Sequence, residues 1–250
     1  MILTDVSVGF RSRHGAPHVL ASGINARLEA GRLTCLVGRN GMGKSTLLRT
    51  MAGFQPLLEG EIVPDGSDAP LSKLSHAERS KLVSVVLTGN SDVHGLTVEE
   101  LVGLGRSPYT NFWGSLNDAD RRVVDEAMAL TGVTALRGYR VETLSDGERQ
   151  KAMTAKALAQ QTPVMLLDEP TAFLDYPSKV ETLRLLARLA HEEGKAVLFS
   201  SHDLELALCY ADVVWQLEDG HLVVSEKQAV RDDILLAYAS PTPSSSSTLS

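Results

Sequence analysis

The segment Gly38-Arg39-Asn40-Gly41-Met42-Gly43-Lys44-Ser45-Thr46 joins three glycines to a lysine and two hydroxyls. The order G-x-x-x-x-G-K-[ST] suits phosphate chemistry. Its glycines let backbone N–H groups converge on phosphate oxygens, Lys44 supplies a point charge to the β/γ-phosphates, and the Ser45 hydroxyl can ligate Mg²⁺. The context agrees. RLTCLVG, before the loop, is an apolar run of strand length, and KSTLLRTMAG, after it, spaces Leu47, Leu48 and Met51 as a helix with Gly53 at its stop. A helix N-terminus at the lysine adds partial positive charge toward the anion.

Further along, VMLLDEP places Asp168 and Glu169 at the exit of a buried strand, where α/β sheets bind ligands. Many buried strands end in Asp, but beside a phosphate loop the pair gains a role. Asp168 can hold Mg²⁺, and Glu169 can face the γ-phosphate as base or water-orienter. His202 follows the apolar run KAVLFSS; taken alone it reads as an ordinary strand-end histidine. LSDGERQ reads first as a capping box, Ser145 to Glu148, although an open helix N-terminus also receives phosphate.

The elements that must position these residues follow from pattern. ILTDVSVGF and HVLASGINARLEA read as strands, with the first set of turn glycines around them. From about Leu71 to Gln161 the texture is helical, with S/T-x-x-E boxes at Ser75, Thr97 and Ser145 marking three helix starts. Asn117 to Gly132 carries Val123, Val124, Ala127 and Met128 on one face. LVSVVLT is a further strand between the first two boxes. After Pro163, VMLLD and KAVLFSSHD are buried strands separated by the amphipathic KVETLRLLARLAHEEG, a parallel-sheet pattern. DVVWQLEDGHLVV then reads as a hairpin turning at Asp219-Gly220, and SPTPSSSSTLS as a low-complexity tail.

Composition bounds the partners. The chain has 250 residues, 43% hydrophobic and 22% charged, which is globular rather than disordered and long enough for a large core. A net charge of −7 argues against a broad grip on nucleic acid. No apolar run approaches a membrane span, and MILTDVSVGF has no secretory pattern. Cys35 and Cys209 lie far apart without metal-ligand spacing, which fits a reducing compartment.

In this order, GRNGMGKST, LSDGERQ, VMLLDEP with TAFLD, and FSSHD resemble the ATPase subunit of ABC transporters over about residues 1–235. The resemblance implies an α/β P-loop NTPase (RecA-like) core with an N-terminal antiparallel β subdomain and an inserted helical subdomain. It divides the chain into a core lobe of about 1–88 and 162–235, a helical insertion of about 89–161, and a disordered tail, 236–250. It implies ATP and Mg²⁺ as ligands and a head-to-tail homodimer with two ATP molecules at the interface. Each ATP would lie between the Lys44 loop of one subunit and Leu144, Ser145, Asp146, Gly147 and Glu148 of the other. By the same carry-over Glu169, His202 and Lys44 are catalytic, Asp175 couples the two sites, and Phe10 stands where an aromatic often stacks on adenine.

Two departures qualify the resemblance. The signature sequence normally reads LSGGQ, and Asp146 and Glu148 here replace a glycine and the glutamine. Asp146 would repel a partner's γ-phosphate unless its side chain points outward at the helix terminus. Thr88 stands where the family has a glutamine reaching Mg²⁺; it keeps an oxygen ligand with less reach, so slower or more tightly gated hydrolysis is expected. LTVEELVGLGRSPYTNFWGSL is similar to the corresponding stretch in iron-siderophore, haem and cobalamin importers. Tyr109, Phe112 and Trp113 would be either a docking surface or the small core of the insertion. The implied partners are an integral membrane permease and an extracytoplasmic substrate-binding protein, with the ATPase on the cytoplasmic face of the membrane. A soluble scaffold of the iron–sulfur assembly kind, an export ATPase and a non-hydrolysing ATP-binding module are the alternatives.

Overall fold

The computed structural model describes residues 1–11, 16–67, 69–87, 93–110 and 114–227. Thr88, Phe112, Trp113 and the serine-rich tail lie outside them. Two sheets and a group of helices make up the molecule. Strands β1 (Ile2–Phe10), β2 (His18–Arg27) and β4 (Glu59–Val63) form an antiparallel sheet in the order β2-β1-β4. The second sheet has the order β5-β6-β7-β3-β8-β9, built from β3 (Leu33–Gly38), β5 (Val83–Val86), β6 (Val164–Leu167), β7 (Ala196–Ser200), β8 (Val213–Glu218) and β9 (His221–Glu226). Its neighbours pair in parallel except β9, which returns antiparallel to β8 through the Asp219-Gly220 turn.

The parallel strands are mostly apolar because both faces are covered, and their alternation sorts residues into two cores. Leu36, Leu166, Leu198 and Trp215 join Leu47, Leu48 and Met51 of α1 (Lys44–Met51) and the inner face of the N-terminal sheet. Their strand neighbours Cys35, Met165, Leu167, Val197, Phe199 and Val214 face the opposite core. That core is shared with α6 (Tyr176–His191), α7 (Leu204–Tyr210) and the helices that precede β6. Burial pushes the Cys35 thiol up, so it stays protonated.

The helices between β5 and β6 start where their side chains can cap them. They are α3 (Val98–Gly103), α4 (Asp118–Leu130) and α5 (Asp146–Ala159), and α2 (His76–Leu82), just before β5, starts the same way. All three S/T-x-x-E sequences form reciprocal capping boxes, at Ser75, Thr97 and Ser145. Asn117 and Asp120 form a fourth at the start of α4. Val124, Ala127 and Met128 of α4 are buried against Leu101 and Val102 of α3 and the alanines of α5.

A buried arginine ties this group to the sheet. Arg106 lies in the 3-10 segment that follows α3, and its Nε donates to Asp120 Oδ1 at 2.9 Å. Its Nη1 donates to the Ala159 carbonyl at 2.9 Å and to Gln161 Oε1 at 2.8 Å, at the connection into β6. The Tyr109 ring covers the guanidinium at 4.2 Å. Arg106 holds the Asp120 carboxyl below the usual carboxylate range, with an Asn117 N–H helping.

Candidate functional site

The C-terminal ends of β3, β7 and β6 are neighbours in the sheet, and the loops leaving them converge. Gly38 ends β3 against β8: a Cβ there would stand 2.6 Å from the Leu217 carbonyl oxygen, so only glycine lets the loop leave at this point. Gly43 is the N-cap of α1 at φ 99°, a left-handed conformation that suits glycine. It has no side chain to cap the helix, so no capping group competes for the first-turn N–H donors. Leu20 of β2 packs beneath it, 3.1 Å from where a Cβ would be.

Lys44 is buried, and its Nζ donates to the Gly38 carbonyl at 2.7 Å and the Arg39 carbonyl at 3.2 Å. Burial pushes its pKa down, opposed by the nearby Glu169 and Asp168 carboxylates. Those carboxylates leave the end of β6. The Asp168 N–H donates to the Val86 carbonyl at 2.7 Å, which anchors the turn to β5. Asp168 itself is buried. Glu169 takes φ 49°, which swings its side chain out of the strand direction, and its Oε1 meets His202 Nε2. His202 precedes Asp203, the N-cap of α7, whose Oδ2 pairs with Lys179 at 3.0 Å.

The donor set fits a hard divalent cation bound with phosphates. Ser45 and Asp168 offer hydroxyl and carboxylate oxygen, and among the described residues no cluster of three His, Cys, Asp or Glu side chains forms a protein-only metal cage. Mg²⁺ characteristically takes one or two protein oxygens and the phosphates of its substrate.

Ser145 begins α5 elsewhere on the surface. Its Oγ accepts from the Glu148 N–H at 3.3 Å, while its hydroxyl and its N–H donate to Glu148 Oε2 at 2.7 and 2.9 Å. These bonds hold the Glu148 carboxyl below its usual range. Asp146 projects outward and pairs with Arg149 at 3.2 Å. Gly147 lies against Leu174 and Phe173. Asp175 caps α6, its Oδ1 accepting from the Ser178 N–H at 3.0 Å, which keeps its carboxyl low.

A family model described as ABC transporter matches residues 21–172. The chain belongs to this family. Among curated ABC relatives, the iron(3+)-hydroxamate import ATP-binding protein of Bacillus subtilis is 37% identical over 219 residues, covering 88% of this chain and 79% of that protein. The cobalamin import ATP-binding protein of Halobacterium salinarum is 42% identical over 199 residues, which are 80% of this chain and 49% of the relative. The chain thus spans about half the length of that relative. A solved dimeric bacterial ABC transporter cassette shares the fold at TM-score 0.81 and 23% identity, covering 92% of this chain and 99% of that one. A post-hydrolysis state of that cassette was solved with ADP and Pi.

Within this ABC cassette, the structure brings Lys44, Asp168, Glu169 and His202 to the C-terminal ends of adjacent strands and leaves Ser145–Glu148 at the start of α5, beside Phe173 and Leu174. Phe10 ends β1 and is half exposed. Thr88 is outside the described residues. No membrane-length apolar helix occurs among the described residues. Two residues that pattern alone did not single out also line the site: Leu20, under the loop, and Ser200, whose hydroxyl links the Asp168 carboxylate to the Glu169 backbone N–H. The signal for Ser200 was present as the paired hydroxyls of FSSHD, polar side chains at the end of an apolar strand.

Proposed function

We propose that this chain is the ATP-hydrolysing subunit of an ABC importer for a metal chelate of the iron-siderophore, haem or cobalamin kind. The observation that carries the hydrolytic part is the Glu169–His202 pair placed beside Lys44 at the end of three adjacent strands. The names of the relatives support the import part.

The loop 38–46 would hold the triphosphate through the Lys44 ammonium and the N–H groups opening α1. Ser45 and Asp168, with Thr88 as a weaker candidate, would hold Mg²⁺. When bound, the ion screens the phosphate charge and favours attack at the γ-phosphate. Glu169 would accept a proton from the attacking water, and His202, whose Nε2 meets the Glu169 Oε1, would orient that carboxylate. Phe10 would face the adenine.

The reading includes a homodimer in which Ser145–Glu148 of one subunit completes the ATP site of the other and Asp175 links the two sites. Closure on ATP and reopening after hydrolysis would let a permease alternate its access. The ATPase would sit on the cytoplasmic face of the membrane, with a substrate-binding protein outside. The division into a core lobe (about 1–88 and 162–235) and an insertion (about 89–161) belongs to the same reading. The test is to purify the Glu169→Gln protein from detergent-solubilised membranes with and without ATP. A co-purifying polytopic permease is expected; recovery of soluble partners alone in both states would replace the importer with a scaffold.

A further inference from the structure

One hydroxyl joins the two carboxylate-bearing residues of the site. Ser200 is fully buried at the end of β7. Its Oγ donates to Asp168 Oδ1 at 2.8 Å and accepts from the Glu169 N–H at 2.9 Å. The regular pairing of β6 with β7 ends at Leu167 and Phe199. Glu169 has therefore left the ladder, and its N–H finds its acceptor in the Ser200 side chain instead of in a strand carbonyl.

Both bonds bear on the site's geometry. A carboxylate accepting a bond from a buried, immobile hydroxyl keeps one orientation, which fixes the direction of Asp168. Glu169 holds a left-handed backbone that is unfavourable for a residue with a Cβ, and such a conformation persists only where its surroundings fix it. Here the Asp168 N–H is fixed by β5 and the Glu169 N–H by Ser200 on β7. That turn points the Glu169 carboxylate at His202. The neighbouring Ser201 is spent differently, its Oγ accepting from the Asp203 N–H at 3.0 Å.

We propose that Ser200 is a positioning residue for ATP hydrolysis, setting the direction of the Mg²⁺-holding Asp168 and the backbone turn that delivers Glu169 to His202. The proposal rests on the ATPase reading above. It concerns metal-dependent steps only, since Ser200 makes none of the hydrogen bonds that hold Lys44.

The experiment compares the full-length protein with Ser200→Ala, Ser200→Cys and Ser200→Thr. It measures the affinity for a fluorescent ATP analogue with Mg²⁺ and in EDTA, the Mg²⁺ concentration for half-maximal hydrolysis, kcat, and the melting temperature. For Ser200→Ala, metal-free nucleotide affinity should be unchanged, while the half-saturating Mg²⁺ rises and kcat falls, each about tenfold. Ser200→Thr, which keeps the oxygen, should recover most of both. Ser200→Cys keeps the volume with a weaker donor and acceptor; it should fall between the two and serves if the alanine protein does not fold. Wild-type Mg²⁺ dependence and kcat in Ser200→Ala would overturn the proposal. So would equal losses of metal-free and Mg²⁺-dependent affinity together with a lowered melting temperature, which would make Ser200 a support of the fold. If the unmodified protein binds no nucleotide in either condition, the ATPase reading itself falls, before any variant is compared.

Discussion

The strand edge at Lys44 and the helix start at Ser145 both offer donors to an anion, and they are built in opposite ways. At the strand edge the groups come from three strands and one helix, Lys44 and Asp168 are buried, and the two carboxylate-bearing residues are held by Ser200 and His202, more than 30 residues away in sequence. At Ser145 the groups come from four consecutive residues, lie near the surface, and hold one another. The first site is prearranged by the fold. The second already satisfies itself, since the Ser145 hydroxyl donates into a carboxylate, so a phosphate arriving there must displace Glu148. The Asp146 carboxylate points outward onto Arg149, which answers part of the repulsion expected from sequence.

The contrast can be broken most forcefully at Glu169. Glu169→Gln should lower hydrolysis by about 10²–10⁴-fold while leaving nucleotide affinity in place, measured by phosphate release and by equilibrium binding. A parallel loss of affinity would make the residue a ligand-holding group instead. Next in size is the Arg106 anchor, which ties the start of α4 to the end of α5 and the connection into β6. Arg106→Ala leaves Asp120 buried without its partner and should cost about 3 kcal/mol of stability in denaturant unfolding. The sign with pH follows from the lowered Asp120 pKa. The pair's contribution is full above the unfolded carboxyl value, near 3.8, and is lost as pH falls through the lower folded value. The acid limb of the stability profile should therefore flatten in Arg106→Ala; an unchanged limb would show that the pair is not ionised as described.

Smaller effects separate the two sites further. Ser145→Ala removes a helix cap worth about 1 kcal/mol. It should abolish ATP-dependent dimerisation in sedimentation while each protomer still binds nucleotide; retained dimers would place the interface elsewhere. Glu148→Gln keeps the box geometry and removes the charge. In a Glu169→Gln background it should tighten the ATP-bound dimer a few-fold by easing repulsion of phosphate. No change would mean that the carboxylate stays clear of the partner's nucleotide.

Much of this was legible in the chain because it is local. The capping boxes at Ser75, Thr97 and Ser145 are defined by residues three apart, and the apolar runs VMLL and AVLF are continuous because both their faces are covered. Strand β4 was not legible. In EGEIV only Ile62 is buried, and the segment is a strand because β1 offers it an edge. The helix at Leu204–Tyr210 was missed for its length, its one clear mark being Asp203 at its N-cap. In the site, Lys44, Asp168 and Glu169 are announced by spacing, whereas the role of Ser200 exists only through the β6–β7 register, which no short sequence window contains.

Gly38 carries a practical corollary. Although it opens the phosphate loop, its missing side chain makes room for a carbonyl of the adjacent strand. A bulkier residue there would wedge β3 from β8 in the middle of the sheet before it touched any ligand. Such a variant would show itself in a cell as scarcity, cleared by quality control, and the molecules that survived would understate the damage in any assay normalised to protein amount.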